Sequence, residues 1–581
     1  MIFPLQTRRF SIQVTGGRHP WPVPANKPKN SGPPDIPTDR NGRPRHPHGE
    51  IVIMEPTGNY PLSEAVRESY RAGEEDETLQ PLVAGGKDGA PLGRIGKRDA
   101  VIFYNIRGER EIELTRSLTE KGFAEFPTAP DLGLAYATMI EYRRDLPVEV
   151  AFPPEETLEN TLSALIARAG LKQVKITEAE KAVHVSYFLN GKRQEPFPGE
   201  DRIVVPTRKD VALFDAAPEM SIGEIGAAIA DAIHDQRYSF IFANFPNVDV
   251  VGHIENREAI IQAIEAVDLQ AGAAIAAAAE AGMTVVVSAD HGTVEKWLYP
   301  DGAVDTGHTD SPVPFALISP DGRITLRRQG ELADAAPTVL DLLGLPPSPL
   351  MTGRSLIEKN PGTGEGKGKA RLLYLLLDGW GYREDAYGNL LAAARTPVMD
   401  RLLAERPFAV LAAAGEAVGL PPGTVGNSEA GHLHIGAGRR IYSDRVRIDR
   451  AIADGSFFQN EAFLKVMNAA KERKSALHLM GIVSFFSSHG SLPHLFALLE
   501  MARRQSVPEV YIHAMLGRRG EQPESGARYI QEVEKKCASL GLGQVVSVIG
   551  RFWSMDREEN WDRIEKTYRL LVYGEGRGVP G

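Results

Sequence analysis

The chain has 581 residues, a formal net charge of −10 and 42% apolar residues. That length supports two or more domains with cores of their own, and the acidic balance gives no sign of a nucleic acid or an anionic membrane held by overall charge. Cys537 is the only cysteine, so no intramolecular disulfide can form and a reducing, cytoplasmic compartment is expected. No apolar run reaches the length of a membrane span. The MIFPLQTRRFSIQV start lacks the continuous apolar core of a signal peptide.

Residues 1–59 are rich in Pro, Gly, Arg and His without helical or strand period, and a disordered or loosely packed tail is expected there. From Leu62, LSEAVRESYRAG predicts an amphipathic helix with a glycine stop. Ala100–Asn105 predicts a buried strand. Arg107 and Arg110 follow where that strand gives way to a loop, the place where open α/β sheets gather ligand groups. ETLENTLSALIARAG predicts a helix, and a strand starts at Gln173. EKAVHVSYF alternates like a strand, which would leave Lys181 on a solvated face. Ser221–Asp235 predicts a helix with a Ser221/Glu224 capping box and Ile222, Ile225, Ile229 and Ile233 on one face. Tyr238–Ala243 predicts a strand running into NFPNVDVVGHIE, then come an alanine-rich helix to Ala281 and the strand MTVVVSADHG. KNPGTGEGKGKA, at 359–370, reads as a flexible linker. The strand LLYLLLDGWG follows, then the glycine-rich loop PGTVGNSEAGHLHIGAGR at 422–439, which carries Ser428. ALHLMGIVSFFSSHG, EVYIHAMLGRRG and QVVSVIGRFWSMDR are three more strand-to-loop units. The alternation predicts an α/β protein with largely parallel sheets covered by helices on both faces.

Acids and histidines gather at the predicted strand ends. Asp249 and His253 follow one strand, Asp290 and His291 a second, and Asp378 a third. His308 lies in TGHTD downstream of the second. Carboxylates with imidazoles suit manganese, zinc or magnesium, and one cysteine is too few for a structural zinc site. Two clustered divalent ions would form a clamp for phosphoryl transfer and activate a serine hydroxyl, for which Ser428 is the candidate.

DGWG, GNSEAGHLHIGAGR, NVDVVGH, SADHGT and TGHTD resemble the motifs of cofactor-independent phosphoglycerate mutases, in the alkaline phosphatase superfamily. Similar segments run from Leu62 to the end. The resemblance implies two divalent metal ions, with manganese expected and magnesium, cobalt or zinc as alternatives. One ion would take Asp249, His253 and His308, and the other Asp378, Ser428, Asp290 and His291. It implies Ser428 as the catalytic nucleophile. It also implies substrate contacts from His489, Arg519, Arg551, Arg557, Arg107, Arg110 and Lys181. The expected partner is a small phosphorylated acid, bound by a monomer, with no nucleic acid and no membrane.

Two features depart from that pattern. The family begins with the DGWG segment and ends with one like PTVLDLLGLPPSPLMTGRSLI, whereas here the ending, at 337–357, precedes the beginning, at 371. The chain therefore reads as circularly permuted, with the linker joining the old ends. About twelve residues span roughly 40 Å when extended, so the join is easy. Two three-layer α/β/α domains are expected: a substrate-binding, transferase-type domain from 60–151 and 444–581, and a metal-binding, phosphatase-type domain from 152–443. The second departure is chemical. The family's SDGGVHSH reads Ser484-Phe485-Phe486-Ser487-Ser488-His489-Gly490-Ser491, and its DGRD reads Gly517-Arg518-Arg519-Gly520. The metal and phosphate parts are complete, while aspartates that the resemblance puts beside the glycerate are gone. The expected activity is interconversion of 3- and 2-phosphoglycerate through a phosphoserine, slowed and with phosphatase leakage. A phosphatase or mutase for another phosphorylated acid, and a catalytically silent phosphometabolite binder, are the alternatives.

Overall fold

Continuous apolar runs become the central strands of two eight-stranded sheets. LLYLLL, at Leu372–Leu377, is buried along its whole length because helices cover both faces of its sheet. The computed structural model describes residues 61–580 except 87–88, 155–157, 321–323, 360–369, 486 and 518–523. The expected tail, most of the expected linker and Arg519 lie outside the described residues.

The first sheet runs, in spatial order, Arg577–Pro580, Leu82–Gly85, Gln544–Gly550, Val510–Leu516, Leu477–Ile482, Ala100–Phe103, Ala135–Ile140 and Glu149–Phe152. It draws strands from both ends of the chain and is parallel except where Leu82–Gly85 meets Gln544–Gly550. From Leu477–Ile482 the chain crosses through helix Leu492–Arg504 to the Val510–Leu516 side. From the neighbouring Ala100–Phe103 it crosses through helix Ile112–Thr119 to the opposite side. The carboxyl ends of these two strands therefore flank a topological switch point, where open α/β sheets bind ligands.

The second sheet runs Gln329–Glu331, Phe408–Ala412, Val313–Ile318, Thr284–Ser288, Leu372–Leu377, Phe240–Phe245, Gln173–Glu178 and Glu200–Val205. Leu372–Leu377 lies parallel between Phe240–Phe245 and Thr284–Ser288. Val313–Ile318 is antiparallel to both of its neighbours. Each sheet has its own apolar core, so the chain is a two-domain α/β protein. Helix Arg257–Glu280 is long and apolar enough to cross a membrane by composition, yet Ile260, Ile264, Val267 and Ala271 are buried within the second core.

Four local readings change. EKAVHVSYF is not a strand: Ala179–Lys181 is a 3-10 turn and His184–Phe188 a π-helical turn. The sheet pairing stops at Glu178, and the following residues bury Lys181, Val185 and Leu189 at helical spacing. Ser221 makes no capping box. Its Oγ–H donates to the Pro206 carbonyl, and the Glu178 carboxylate accepts the Ser221 N–H instead. The predicted helix at 156–170 occupies, among the described residues, Leu162–Arg168, since Asn160 has a left-handed backbone, φ 57°, which helical residues do not adopt. The second half of the glycine-rich loop is a helix, Ser428–Ala437, capped by Asn427 Oδ1 accepting the Ala430 N–H at 2.8 Å.

Candidate active site

The strand ends of the second sheet bring acids together from distant parts of the chain. Asp378 follows Leu372–Leu377 directly and Asp290 follows Thr284–Ser288 by one residue. Asp249 sits in the first turn of a short helix, Asn247–Gly252, that caps Phe240–Phe245. Backbone bonds fix their spacing: the Asp378 N–H donates to the Phe245 carbonyl, and the Asp249 N–H to the Asp378 carbonyl. Gly379, with φ 82°, turns the chain beside Asp249, and a Cβ there would lie 2.8 Å from the Asp249 backbone. Gly431 does the same for helix Ser428–Ala437, where a Cβ would meet Asp290 at 2.6 Å.

Asp249 Oδ1 lies 3.0 Å from His308 Nε2, 3.4 Å from His253 Nε2 and 3.6 Å from His291 Nε2. His291 Nε2 is also 3.4 Å from Asp378 Oδ1. Three donor groups result: Asp249 with His253 and His308, Asp249 with His291 and Asp378, and Asp290 with Asp378 and His432. Relative to the sets implied by the resemblance, Asp249 reaches toward both groups and His432 is an addition. Ser428 Oγ lies 2.9 Å from His291 Nε2 and 3.4 Å from Asp378 Oδ1. Lys181 Nζ donates to Ser428 Oγ at 2.6 Å, Asp249 Oδ2 at 2.7 Å and Asp378 Oδ1 at 3.0 Å. The solvated lysine expected from the sequence is thus a buried ammonium among carboxylates. A cleft of about 580 Å³ opens over this cluster, lined by Lys181, His184, Asp249, His253, His308 and Ser428 among others.

The electrostatics follow from that crowding. Burial alone would raise the Asp249 pKa, but the Lys181 charge and the hydrogen bonds of His253 and His308 hold it well below the usual carboxylate range. Asp378, fully buried, is depressed in the same way by Lys181 and then His291. Burial would discharge Lys181 and His291. The aspartates outweigh it, raising Lys181 above the ordinary lysine value and pushing His291 up to about 10.

The basic residues of the first sheet collect around its switch point. Arg107 Nη2 lies 3.1 Å and Arg557 Nη1 2.9 Å from Glu109 Oε1, so one carboxylate brings the two guanidinium groups together. Arg110 donates to the Met555 carbonyl at 3.0 Å. Arg551 opens the short helix after Gln544–Gly550, with Nε 4.0 Å from Glu77 Oε1. His489 is buried in the loop after Leu477–Ile482. Lys181 stands apart from this group, in the acid cluster of the second sheet.

A family profile of the metalloenzyme superfamily matches residues 22–347, more than half of the chain. The chain belongs to the metalloenzyme superfamily. A second profile, the N-terminus of BPG-independent PGAM, matches residues 448–579. A 2,3-bisphosphoglycerate-independent phosphoglycerate mutase of Thermomicrobium roseum is 43% identical over 308 residues, covering 52% of this chain and 58% of the relative. The protein of the same name from Moorella thermoacetica is 42% identical over 51% of this chain and 57% of its own length. The chain thus spans less than two thirds of the length of these relatives. A solved structure of Leishmania mexicana phosphoglycerate mutase at low cobalt concentration is 29% identical, covering 48% of this chain and 53% of that one, with a TM-score of 0.34.

The donor set of this chain fits divalent cations. His253 Nε2 and His308 Nε2 face each other at 3.1 Å beside Asp249 Oδ1, an approach that suits a shared positive ion better than two neutral rings. Asp290 Oδ2 is buried without a hydrogen bond among the described residues. His432 Nδ1 lies 3.1 Å away, out of line, and is also 2.9 Å from the Ser428 carbonyl oxygen. Two residues at the site were not singled out from the sequence. His432 lies within GNSEAGHLHIGAGR, one helical turn beyond Ser428, and its place beside the acids is visible only once 428–437 is known to be helical. Asn244 Nδ2 donates to Asp378 Oδ2 at 2.8 Å, and only strand pairing brings it there.

Proposed function

We propose that this chain is a metal-dependent phosphoglycerate mutase of the cofactor-independent type, interconverting 3- and 2-phosphoglycerate through a phosphoserine at Ser428, with manganese as its ion. The observation that carries the proposal is the setting of Ser428 Oγ, 2.6 Å from Lys181 Nζ and 2.9 Å from His291 Nε2. A serine held between an ammonium and a histidine, at the start of a helix and beside a cluster of acids, suits phosphoryl capture and little else.

In this reading Asp249, His253 and His308 hold one divalent ion, and Asp378, Ser428, Asp290 and His291 the other. When bound, such ions stabilise charge on the transferring oxygens and lower the pKa of a coordinated hydroxyl. Ser428 Oγ takes the phosphoryl group and returns it to the other hydroxyl of the glycerate. Lys181 Nζ meets the phosphoryl oxygens, and the first N–H groups of helix Ser428–Ala437 add a dipole of the right sign. On the other sheet Arg107, Arg110, Arg551 and Arg557 hold carboxylate and phosphate oxygens through their planar forks, and the family resemblance adds Arg519 to them. His489 faces the hydroxyls. The two domains are 60–151 with 444–581, and 152–443, in an order permuted relative to the family. A permuted chain aligns in one pass with only part of each relative, in keeping with the 58% and 57% spans.

The test is conversion of 3- to 2-phosphoglycerate by the manganese-loaded protein with no added bisphosphoglycerate. Conversion that is abolished by chelation and restored by manganese supports the reading. Release of inorganic phosphate with no 2-phosphoglycerate would make the chain a phosphatase instead.

A further inference from the structure

The switch point of the first sheet holds a buried acid that no motif marks. Glu111 is wholly buried, just beyond the Ala100–Phe103 strand. Its Oε1 accepts from Asn105 Nδ2 at 2.7 Å and its Oε2 from the Arg110 N–H at 3.1 Å. His489 Nδ1 lies 3.5 Å from Oε1 and has no hydrogen-bond partner among the described residues. Asn105 Oδ1 also accepts the Ile482 N–H at 2.8 Å, and the His489 carbonyl accepts the Ile106 N–H at 2.7 Å. The turn after one strand and the loop after its neighbour are thus stitched together around an acid and an imidazole.

A carboxylate taken out of water needs partners for its charge. Glu111 has two neutral donors, and beside Oε1 stands an imidazole whose Nδ1 has no hydrogen-bond partner among the described residues. We infer that Glu111 is the positioning residue that fixes His489 at the hydroxy-acid end of the crevice, an inference that rests on the mutase reading above. With Nδ1–H turned to Glu111, Nε2 is left as the acceptor. When the phosphoryl group leaves phosphoserine 428, a P–O bond forms to a substrate hydroxyl oxygen and the P–Oγ bond breaks. The hydroxyl proton passes to His489 Nε2, and the electron pair of the broken bond stays on Oγ. Glu111 offsets the imidazolium charge, as the buried acid of a Ser–His–Asp triad does.

The experiment follows 2-phosphoglycerate, inorganic phosphate and phosphoserine together in the manganese-loaded, full-length protein given 3-phosphoglycerate. Glu111→Gln is expected to lower mutase kcat about 10²–10⁴-fold, from the usual worth of general acid–base help up to the loss when the acid of a Ser–His–Asp triad becomes an amide. KM should stay near wild type, and a larger share of turnover should end as inorganic phosphate. Glu111→Asp should recover part of kcat. An unchanged kcat and product ratio in Glu111→Gln would overturn the inference. Long-range 15N NMR of the wild-type protein reads the His489 tautomer without turnover. The Nδ1–H form is expected, and the Nε2–H form would overturn the inference even if Glu111→Gln fails to fold. A wild-type protein that shows the Nδ1–H form but does not isomerise would count against the mutase reading alone, leaving the Glu111–His489 pairing in place.

Discussion

At Ser428 the hydroxyl meets an ammonium and an imidazole before any substrate arrives. Ser428→Ala removes one oxygen from a helix start whose cap belongs to Asn427, so the fold should be kept. Phosphoenzyme and mutase turnover should both be lost, as read by intact-protein mass after mixing with 3-phosphoglycerate. Substantial phosphoryl transfer by that variant would rule out the covalent route. Lys181→Met is a different experiment. It leaves Asp249 and Asp378 buried without their ammonium, which typically costs about 3–5 kcal/mol. That loss should appear in urea melts under chelator and shrink when manganese is added. Local pattern alone put Lys181 on a solvated face, because alternation in EKAVHVSYF imitates a strand; the family resemblance marked it as a substrate contact, and the end of sheet pairing at Glu178 turns it inward. Asp249, Asp290, His291, His308 and Asp378 were legible because each follows an apolar run or sits in a motif. Glu111 was not, since nothing in NIRGERE says that Ala100–Phe103 will lie beside Leu477–Ile482.

Among the elements, the central strands were the easiest to read, because burial on both faces leaves an unbroken apolar run. Ser428–Ala437 was the hardest, because its glycines weaken helix propensity and are kept for close approach to neighbouring backbone. The first sheet carries a second polar line that no motif announced. Asp99 Oδ2 faces His478 Nε2 at 3.2 Å, His478 Nδ1 faces His513 Nε2 at 3.0 Å, and His513 Nδ1 faces Ser547 Oγ at 2.7 Å. Burial, and then the neighbouring His478, hold the His513 pKa well below its ordinary value of 6.5. The unfolded chain therefore binds a proton below about pH 6.5 that the folded chain refuses, and stability falls as pH drops through that window. One such group contributes up to about 1.4 kcal/mol per pH unit. His513→Gln should flatten the pH dependence of unfolding between roughly pH 6.5 and 5 by that amount, measured as the difference from wild type by denaturant melts. An unchanged slope would mean that His513 takes up its proton in the folded protein.

For the molecule as a whole, the proposed substrate has to reach the arginines of one sheet and Ser428 of the other. A small acid that touches both is expected to draw the domains together and exclude water from the phosphoserine. Saturating 3-phosphoglycerate with manganese should then protect the joints near residues 151 and 443 from limited proteolysis. Equal cleavage with and without substrate would count against closure.

The first sheet takes strands from 82–152 and from 477–580, whereas every strand of the second lies between 173 and 412. A chain made from its amino end meets these two requirements at different times. The second sheet has all its strands while the carboxyl-terminal part is still being synthesised. Ala100–Phe103 must wait for Leu477–Ile482, a delay on the order of tens of seconds at about 5–20 residues per second. During that interval the early apolar strands have one neighbour of their own, Ala135–Ile140, and an open edge on the other side. The half that bears the acid cluster can therefore be complete on the ribosome while the half that bears the arginines is an unfinished sheet with an open edge.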